Sequence, residues 1–481
     1  AVAIVNIPFF ARNVRGATLA IAQSDYIAAA KLSGRNTFSL LLFELMPNLI
    51  SVIVVAFSTT VGWMILETAG LSFLGLGSQP PQSDLGSMLG EGRAALITHP
   101  HTSLIPGIMI FAIVMGINLL GDGIRDALDP RLAKGALRRA LPITKIDRDL
   151  PLPRTEERGL LSVSRLKTDF QTAGKTTKAI RDVSFHIGRG ECLALVGESG
   201  SGKSVTALSL TGLVASPPAV ITGGKILFEG TDLLSLKFEQ MRDYRGKRIA
   251  YVFQDPNSSL HPLHSICDQL IESIKVHDGS MGRRALEAKA VQLLKDVRIA
   301  SPEHVMKSYP HELSGGMRQR VGIAIALAND PELIIADEPT TALDVTVQAQ
   351  ILHILNRLRR ERGLALLFIS HDMNVVAQIS DRIAVMYAGQ IVEAGSTKAV
   401  LEKPRHPYTK ALLDCLPQLG KGQVLPRAIN GSPPLLEDLP DGCAFAPRCS
   451  FVTPACQKRP IDVNLIGDRS LRCIRMELVD G

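Results

Sequence analysis

The stretch from Gly197 to Ser204 reads GESGSGKS and holds the residue types best suited to binding phosphate. It follows the apolar run CLALV, which predicts a buried strand, and it precedes a run that favours a helix. Glycines in such a turn allow backbone N–H groups to surround phosphate oxygens at the helix N-terminus. We predict a phosphate-binding loop in which Lys203 reaches the β- and γ-phosphates and the Ser204 hydroxyl ligates Mg²⁺. The residues assigned to this loop are Gly197, Glu198, Ser199, Gly200, Ser201, Gly202, Lys203 and Ser204.

A second apolar run, LIIADEPT, supplies acidic residues for the same chemistry. Its four apolar residues predict a buried parallel strand, and Asp337 emerges at the C-terminal end, where it can hold Mg²⁺ through water. Glu338 follows at once and is the candidate to polarise the attacking water. A carboxylate suits that role because transfer of a γ-phosphate needs an oriented nucleophile. The alternative for Glu338 is a solvated acid at a strand end.

A third motif, LSGGMRQR, lies shortly before the acidic strand. Ser314, Gly315 and Gly316 open an amphipathic helix and so form a second anion-binding helix N-terminus. In this position the motif resembles the signature loop of the ABC transporter ATPases, and residues 160 to about 400 match a complete domain of that family. The resemblance implies an α/β phosphate-loop domain with a core parallel sheet, a helical subdomain and an antiparallel β part.

The resemblance also implies roles for residues that no pattern singles out alone. The signature residues Ser314, Gly315, Gly316 and Gln319 would contact ATP held by an opposing subunit. Gln254, in YVFQDP, would sense Mg²⁺ and meet the membrane domain, and Asp344, in TALD, would lie in the loop that crosses the dimer. His371, in LLFISHD, would contact the γ-phosphate and Phe170 would stack on adenine. The implied catalytic set is Glu338, His371, Lys203 and Gln254, and the implied Mg²⁺ set is Ser204, Gln254 and Asp337. The alternative for His371 is a purely structural role, and the alternative for Phe170 is an ordinary position in the hydrophobic core.

The first 130 residues have a different character, since they are poor in charge. Met46 to Leu66 and Thr102 to Gly121 carry no formal charge and are 21 and 20 residues long. Each can cross a hydrocarbon core of about 30 Å as a helix. A third apolar piece, Ala1 to Ala11, is too short alone, and with no Met at position 1 we expect a truncated start rather than a signal peptide. The alternative is a pair of buried helices in a soluble protein.

Charges around these spans predict their orientation. The basic residues before the first span are Arg12, Arg15, Lys31 and Arg35. The loop between the spans has Arg93 against Glu67, Asp84 and Glu91. After the second span come Arg125, Arg131, Lys134, Arg138 and Arg139. This positive-inside pattern places residues 12–45 and everything after residue 122 in the cytoplasm. It also accounts for much of the net charge of +7, so nucleic acid is not an expected partner.

The loop DYIAAAKLSGRNTFSLLLFELMPN, residues 25–48, predicts a helix followed by a turn at Gly34 and entry to the membrane at Pro47. It resembles the coupling segment of ABC importer permeases. LETAGLSFLGLGSQPPQSDLGSML and the ending GDGIRDALDP resemble the permease of the dipeptide, oligopeptide and nickel importers. Met46 and the Asp84–Leu85 pair depart from the family pattern. Residues 1–132 are thus expected to be a partial, all-α transmembrane permease domain.

The rest of the chain divides into three parts. Residues 133–158 are rich in Pro and in charges of both signs and predict a cytoplasmic linker. Residues 159–405 form the expected ATPase domain. Residues 406–481 begin with RHPYTKALL and resemble the C-terminal extension of peptide-importer ATPases. Four of the seven cysteines are crowded into the last 39 residues of this small extension, and they are Cys443, Cys449, Cys456 and Cys473. Four thiolates suit zinc or a [4Fe–4S] cluster, and the resemblance implies the cluster; free or oxidised thiols are the third option.

Together these features predict a fused permease and ATPase subunit of an ABC importer that uses ATP and Mg²⁺ to import peptides, or a related solute such as a nickel chelate, across the bacterial inner membrane. The alternative is a membrane-tethered ABC ATPase with an exporter or regulatory role. The resemblance implies as partners a second permease subunit, a second ATPase subunit, an extracytoplasmic solute-binding protein and the lipid bilayer. The ATPase domain of this multi-pass protein is expected on the cytoplasmic side.

Overall fold

A computed structural model describes residues 2–22, 27, 37–78, 81–128, 159–172, 175–216, 218–341, 343–416, 428–458 and 460–475. The chain divides into two compact units, Ala1–Arg138 and Arg139–Gly481. The predicted linker of residues 133–158 lies outside the described residues. So does most of the predicted coupling helix, including Asp25, residues 28–30 and Gly34.

The N-terminal unit is helical in its described part. Its helices are α1 (Val2–Ala22), α2 (Thr37–Leu40), α3 (Met46–Phe73), α4 (Leu85–Gly92) and α5 (His101–Leu128). A five-residue π-helical turn, Leu41–Leu45, joins α2 to α3. Pro47 stands in the first turn of α3, where its missing N–H costs nothing.

Two of these helices are long and apolar enough to cross a membrane by length and composition. They are Met46–Phe73 and His101–Ala127, each with a mean hydropathy of 2.2. Each contains one of the two predicted spans and extends beyond it. The prediction of two apolar helices is therefore confirmed, and α1 extends the first apolar fragment into a helix of 21 residues.

The short helix α4 lies in the connection between α3 and α5 and packs closely on α3. Asp84 caps it by accepting the backbone N–H of Ser87 at 2.8 Å. The hydroxyl of Ser72 in α3 donates to the other Asp84 oxygen at 2.6 Å, and these bonds lower the pKa of Asp84 to about 2. Gly86 allows the close approach, because a Cβ there would collide with the Ala69 carbonyl oxygen.

The described strands of the C-terminal unit form one sheet of mixed direction. They are β1 (Leu161–Thr172), β2 (Lys175–Ile187), β3 (Cys192–Val196), β4 (Ala219–Phe228), β5 (Thr231–Asp232), β6 (Ile249–Val252), β7 (Leu333–Asp337), β8 (Ala365–Ser370), β9 (Arg382–Tyr387), β10 (Gln390–Ser396), β11 (Asn464–Ile466) and β12 (Arg469–Leu471). Their order is β5-β4-β1-β2-β10-β9-β3-β8-β7-β6, with β12 joining β10 and β11 joining β12.

The parallel centre of this sheet explains the continuous apolar runs in the sequence. Strands β6, β7, β8, β3 and β9 pair in parallel, whereas β1, β2, β4 and β5 pair antiparallel as predicted for the β part. In β3, Cys192, Ala194 and Val196 pack into one hydrophobic core. Leu193 and Leu195 pack into a second core on the other face. Because both faces of the sheet are covered here, the central strands do not alternate between polar and apolar residues.

Helices cover the sheet and form the predicted helical subdomain. The α-helices in the described part of this unit are α6 (Lys203–Leu210), α7 (Phe238–Arg242), α8 (Pro256–Ser259), α9 (Ile266–Lys275), α10 (Arg283–Asp296), α11 (Pro302–Val305), α12 (Gly315–Ala326), α13 (Val345–Arg362), α14 (Met373–Ile379), α15 (Thr397–Glu402), α16 (Pro407–Asp414) and α17 (Ala455–Lys458). The apolar faces of α9, α10 and α12 pack in the first core.

The C-terminal extension shares the core of the ATPase domain. Strand β12 pairs with β10, and Tyr408, Ala444 and Phe445 belong to the first hydrophobic core. Tyr408 has 0% of its surface exposed. The extension is therefore packed on the ATPase domain.

Candidate nucleotide-binding site

The glycine-rich loop connects β3 to α6, as the sequence predicted. Gly202 caps α6 with φ of +102°, a left-handed conformation that side chains rarely adopt. Gly197 lies so close to β9 that a Cβ would collide with the Met386 carbonyl oxygen. These two glycines set the path of the loop and leave its backbone N–H groups grouped at the start of α6.

Lys203 is buried at the base of the loop, with 5% of its surface exposed. Its Nζ donates to the carbonyl oxygens of Gly197 and Glu198 at 2.8 and 3.0 Å. Burial lowers its pKa, while the carboxylates of Glu338, Asp337 and Glu198 act in the opposite direction. The lysine is thus a positive charge held among carboxylates beside the loop.

Asp337 ends β7 and contacts the loop through Ser204. The Ser204 hydroxyl donates to Asp337 Oδ1 at 3.1 Å, and the Tyr251 hydroxyl donates to Oδ2 at 2.9 Å. Burial raises the pKa of Asp337, and these two hydrogen bonds oppose that rise. A hydroxyl and a carboxylate that meet in this way provide the hard oxygen ligands that Mg²⁺ prefers.

Glu338 lies at the centre of a group of polar side chains. Its Oε2 accepts from Thr341 Oγ1 at 2.9 Å and from Gln254 Nε2 at 3.2 Å. His371 Nδ1 lies 3.2 Å from the same oxygen. The backbone of Glu338 has φ of +45°, which is uncommon for a residue with a side chain and orients the carboxylate after the strand. This carboxylate is positioned to accept a proton from water.

One cleft of about 1280 Å³ brings most of the predicted residues together. Its lining includes Phe170, Gly197, Glu198, Ser199, Gly200, Gly202, Lys203, Ser204, Gln254, Glu338 and His371. Phe170 is half-buried and lies in β1, beside Ala219 of β4. The cleft is large enough to hold a nucleotide, and its lining includes both an aromatic side chain and the phosphate loop.

The signature residues lie apart from this cleft. Ser314 caps α12 and accepts the Met317 N–H at 3.3 Å, and Asp344 caps α13 by accepting the Val347 N–H at 2.9 Å. In the part of the chain that the structure describes, neither of them lines the cleft, nor do Gly315, Gly316 or Gln319.

The four cysteines of the extension line one small cavity. Burial raises the pKa of Cys443 to about 11 and also raises the pKa of Cys449 and Cys473. Among the described residues no group of three or more His, Cys, Asp or Glu side chains is arranged to hold a metal ion. All seven cysteines are free of disulfide bonds in this structure.

Four residues of the site were not predicted from the sequence. Tyr251 and Thr341 stand three residues from Gln254 and Glu338, so their motifs carried a local signal. Tyr408 and Arg448 reach the phosphate loop from the C-terminal extension, 210 and 250 residues away. No local pattern connects such distant residues.

A phosphate loop, a strand-end aspartate and a following glutamate define a phosphate-loop ATPase. Family comparisons give its class: residues 180–341 match the family described as ABC transporter. Residues 392–456 match the oligopeptide/dipeptide transporter C-terminal region. Residues 1–134 match the binding-protein-dependent transport system inner membrane component. The chain belongs to the ABC transporter family and joins a permease domain and an ATPase domain.

Several proteins resemble the ATPase part of the chain. A Brucella melitensis protein named as a peptide import ATP-binding protein is 47% identical over 330 residues, which are 66% of this chain and 97% of that protein. The oligopeptide transport ATP-binding protein OppD of Bacillus subtilis is 49% identical over 293 residues, 61% of this chain and 82% of that protein. A solved dimeric ATP-binding cassette bound to ADP and Pi is 27% identical with a TM-score of 0.45, and the match covers 49% of this chain and 98% of that one.

Proposed function

We propose that the chain drives the import of peptides across the inner membrane with energy from ATP hydrolysis. The observation that carries the proposal is the assembled cleft, in which the phosphate loop, Asp337 and Glu338 meet. This cleft belongs to a chain that also contains a permease domain and the C-terminal region of oligopeptide/dipeptide transporters. Relatives named as peptide import and oligopeptide transport ATP-binding proteins indicate the solute class.

We assign each role in ATP hydrolysis to a residue that lines or adjoins the cleft. Loop N–H groups and Lys203 bind the β- and γ-phosphates, and Glu338 accepts the proton of the attacking water. Gln254 and His371, which both contact Oε2 of Glu338, orient that water and the γ-phosphate. Ser204, Asp337 and Gln254 would hold Mg²⁺, which supplies charge neutralisation at the phosphates when bound.

The cycle requires partners. We infer that the signature residues contact ATP that is bound to a second ATPase subunit, because they do not line the cleft of their own chain. Closure of the two ATPase domains around ATP would move the segment of residues 25–48 and thereby the permease helices, a population shift driven by higher affinity for ATP in the closed state. A second permease subunit and a solute-binding protein complete the transporter.

Uptake by proteoliposomes that contain the assembled transporter and its binding protein tests the proposal. We expect ATP inside the vesicles to drive accumulation of a labelled di- or pentapeptide. An Ala29→Pro variant should lose uptake while it still binds ATP, because proline in the interior of the predicted coupling helix breaks that helix. Export of peptide, or ATP hydrolysis without any peptide movement, would contradict import and favour the exporter or regulatory alternative.

We further infer that the four cysteines of the extension bind a [4Fe–4S] cluster. The inference is supported by their common cavity, by thiol ligands suited to iron, and by the oligopeptide/dipeptide transporter C-terminal region in which three of them stand. Ligation would require movement of the thiols toward one centre and their deprotonation. The bound group would add folding free energy to the extension.

Metal content of the anaerobically purified chain tests this inference. We expect about four iron and four sulfide per chain, and we expect Cys449→Ser to lose both. Cys415→Ser is the matched control, since Cys415 lies in the extension but does not line this cavity in the described structure. One zinc per chain, or a metal-free chain, would overturn the cluster.

A further inference from the structure

The phosphate loop is attached to the C-terminal extension by an ion pair. Arg448 donates from Nη1 to Glu198 Oε2 at 2.7 Å and from Nη2 to Glu198 Oε1 at 3.0 Å. Such a two-point contact between a guanidinium and a carboxylate fixes both distance and orientation. Glu198 is the second residue of the loop, so its position sets the course of the backbone that follows.

Arg448 is itself rigidly held. Only 5% of its side chain is exposed. Its Nε donates to the Asn430 carbonyl at 3.1 Å, and its Nη1 also lies 3.3 Å from the Tyr387 hydroxyl. The hydrogen bonds to Glu198 raise the pKa of Arg448, so the guanidinium remains charged at every physiological pH. A buried charge pair that loses one partner leaves the other uncompensated, which makes the contact costly to break.

A second contact binds the backbone of the same loop residue. The Glu198 N–H donates to the Tyr408 hydroxyl at 2.9 Å. The Tyr408 ring is packed against Tyr387 and Phe445, with centroid distances of 4.5 and 5.3 Å. The extension therefore fixes both the side chain and the main chain of Glu198.

The extension also covers the side of the loop. A small cavity is lined by Glu198 to Ser201 together with Pro433, Pro434 and Leu436. Ile429, Gly431 and Ser432 continue this segment along the nucleotide cleft. The extension thus contributes part of the wall of the cleft in addition to its two contacts with Glu198.

We propose that Arg448 is a positioning residue of the phosphate-binding loop, and that the C-terminal extension sets the affinity for ATP by holding this loop through Glu198. A loop that is already ordered binds phosphate without a further loss of conformational freedom. Without the ion pair, part of the binding free energy must order the loop. The proposal concerns the ATP site and is independent of which solute is transported.

Equilibrium binding of a fluorescent ATP analogue to the full chain tests the proposal. We expect Arg448→Ala and Glu198→Ala each to weaken binding about tenfold, which corresponds to loss of one charge-assisted contact. The double variant should bind about as weakly as either single variant, because both remove the same interaction. Arg448→Lys should recover part of the affinity. In ATP hydrolysis, KM should rise with kcat changed less than threefold.

Arg472→Ala is the matched control. Arg472 joins the extension to β2 by donating to Asp182 at 2.9 Å and to the Ile461 carbonyl at 3.0 Å. Its loss should lower the unfolding temperature and leave ATP affinity within twofold of the parent. Should Arg448→Ala fail to fold, Arg448→Lys and Glu198→Gln give the same comparison. Unchanged affinity in these variants, additive effects in the double variant, or an equal loss in Arg472→Ala would overturn the proposal.

Discussion

At the scale of the residue, the cleft depends on a few carboxylates held by hydrogen bonds. Glu338 has 14% of its side chain exposed, so water reaches it while Gln254 and Thr341 fix its direction. Asp337, one position earlier, is buried against Ser204 and Tyr251. The different surroundings of these adjacent carboxylates suit the two roles that we propose for them. Asp337 would bind Mg²⁺, and Glu338 would accept a proton from water.

Glu338→Gln tests this division of work. We expect ATP binding to persist and the hydrolysis rate to fall about 10²- to 10⁴-fold, because an amide cannot accept the proton of water. Steady-state phosphate release and binding of labelled ATP measure the two effects. Glu402→Gln, at an exposed acid that ends α15, should hydrolyse ATP at the parent rate. Near-normal turnover of Glu338→Gln would remove Glu338 from this role.

At the scale of the element, the N-terminal unit depends on close helix packing. Gly86 lets α4 approach the backbone of α3 near Ala69, and Ser72 of α3 bonds the Asp84 cap of α4. Small residues permit such contacts, and larger ones force the helices apart.

Gly86→Ala should destabilise this unit by about 1–3 kcal/mol, because the added methyl group overpacks a backbone contact. Thermal unfolding in detergent can follow it through Trp63, the only tryptophan of the chain, which lies in α3. Gly116→Ala in α5 is the control, since a Cβ there meets nothing within 4 Å. Equal unfolding temperatures for both variants would contradict the packing argument.

At the scale of the whole molecule, we propose that another subunit completes the ATP site. The start of α12 does not line the cleft of its own chain, and a helix N-terminus of this kind can bind an anion. A site divided in this way would couple ATP binding to closure of two ATPase domains.

Gly315→Asp should separate binding from turnover. The added carboxylate has room, since the nearest atom to a Cβ there is Leu343 Cδ2 at 3.8 Å, and it should repel the phosphates of the opposing subunit. We expect ATP affinity within threefold of the parent and hydrolysis reduced about 100-fold. Gly322→Ala, in the same helix with nothing within 4 Å, should retain hydrolysis. A Gly315→Asp variant that hydrolyses ATP normally would argue against the divided site.

Local sequence patterns predict the features that arise within one strand, loop and helix. GESGSGKS, LIIADEPT and the two apolar spans predict the phosphate loop, the acidic strand end and the long helices, because backbone conformation and burial there depend on neighbours in the chain. Glu338, Gln254 and His371 follow three different strands, so no local pattern predicts their contacts. Only the family resemblance implied that these residues share a site.

The contacts between the C-terminal extension and the ATPase domain are visible only in the folded chain. The pairing of Arg448 with Glu198 spans 250 residues, and neither residue stands in a pattern that predicts the other. Folding of the extension onto the first core brings them together, and the common cavity of the four cysteines arises in the same way. Long-range contacts of this kind depend on the packing of whole elements, so local sequence patterns do not specify them.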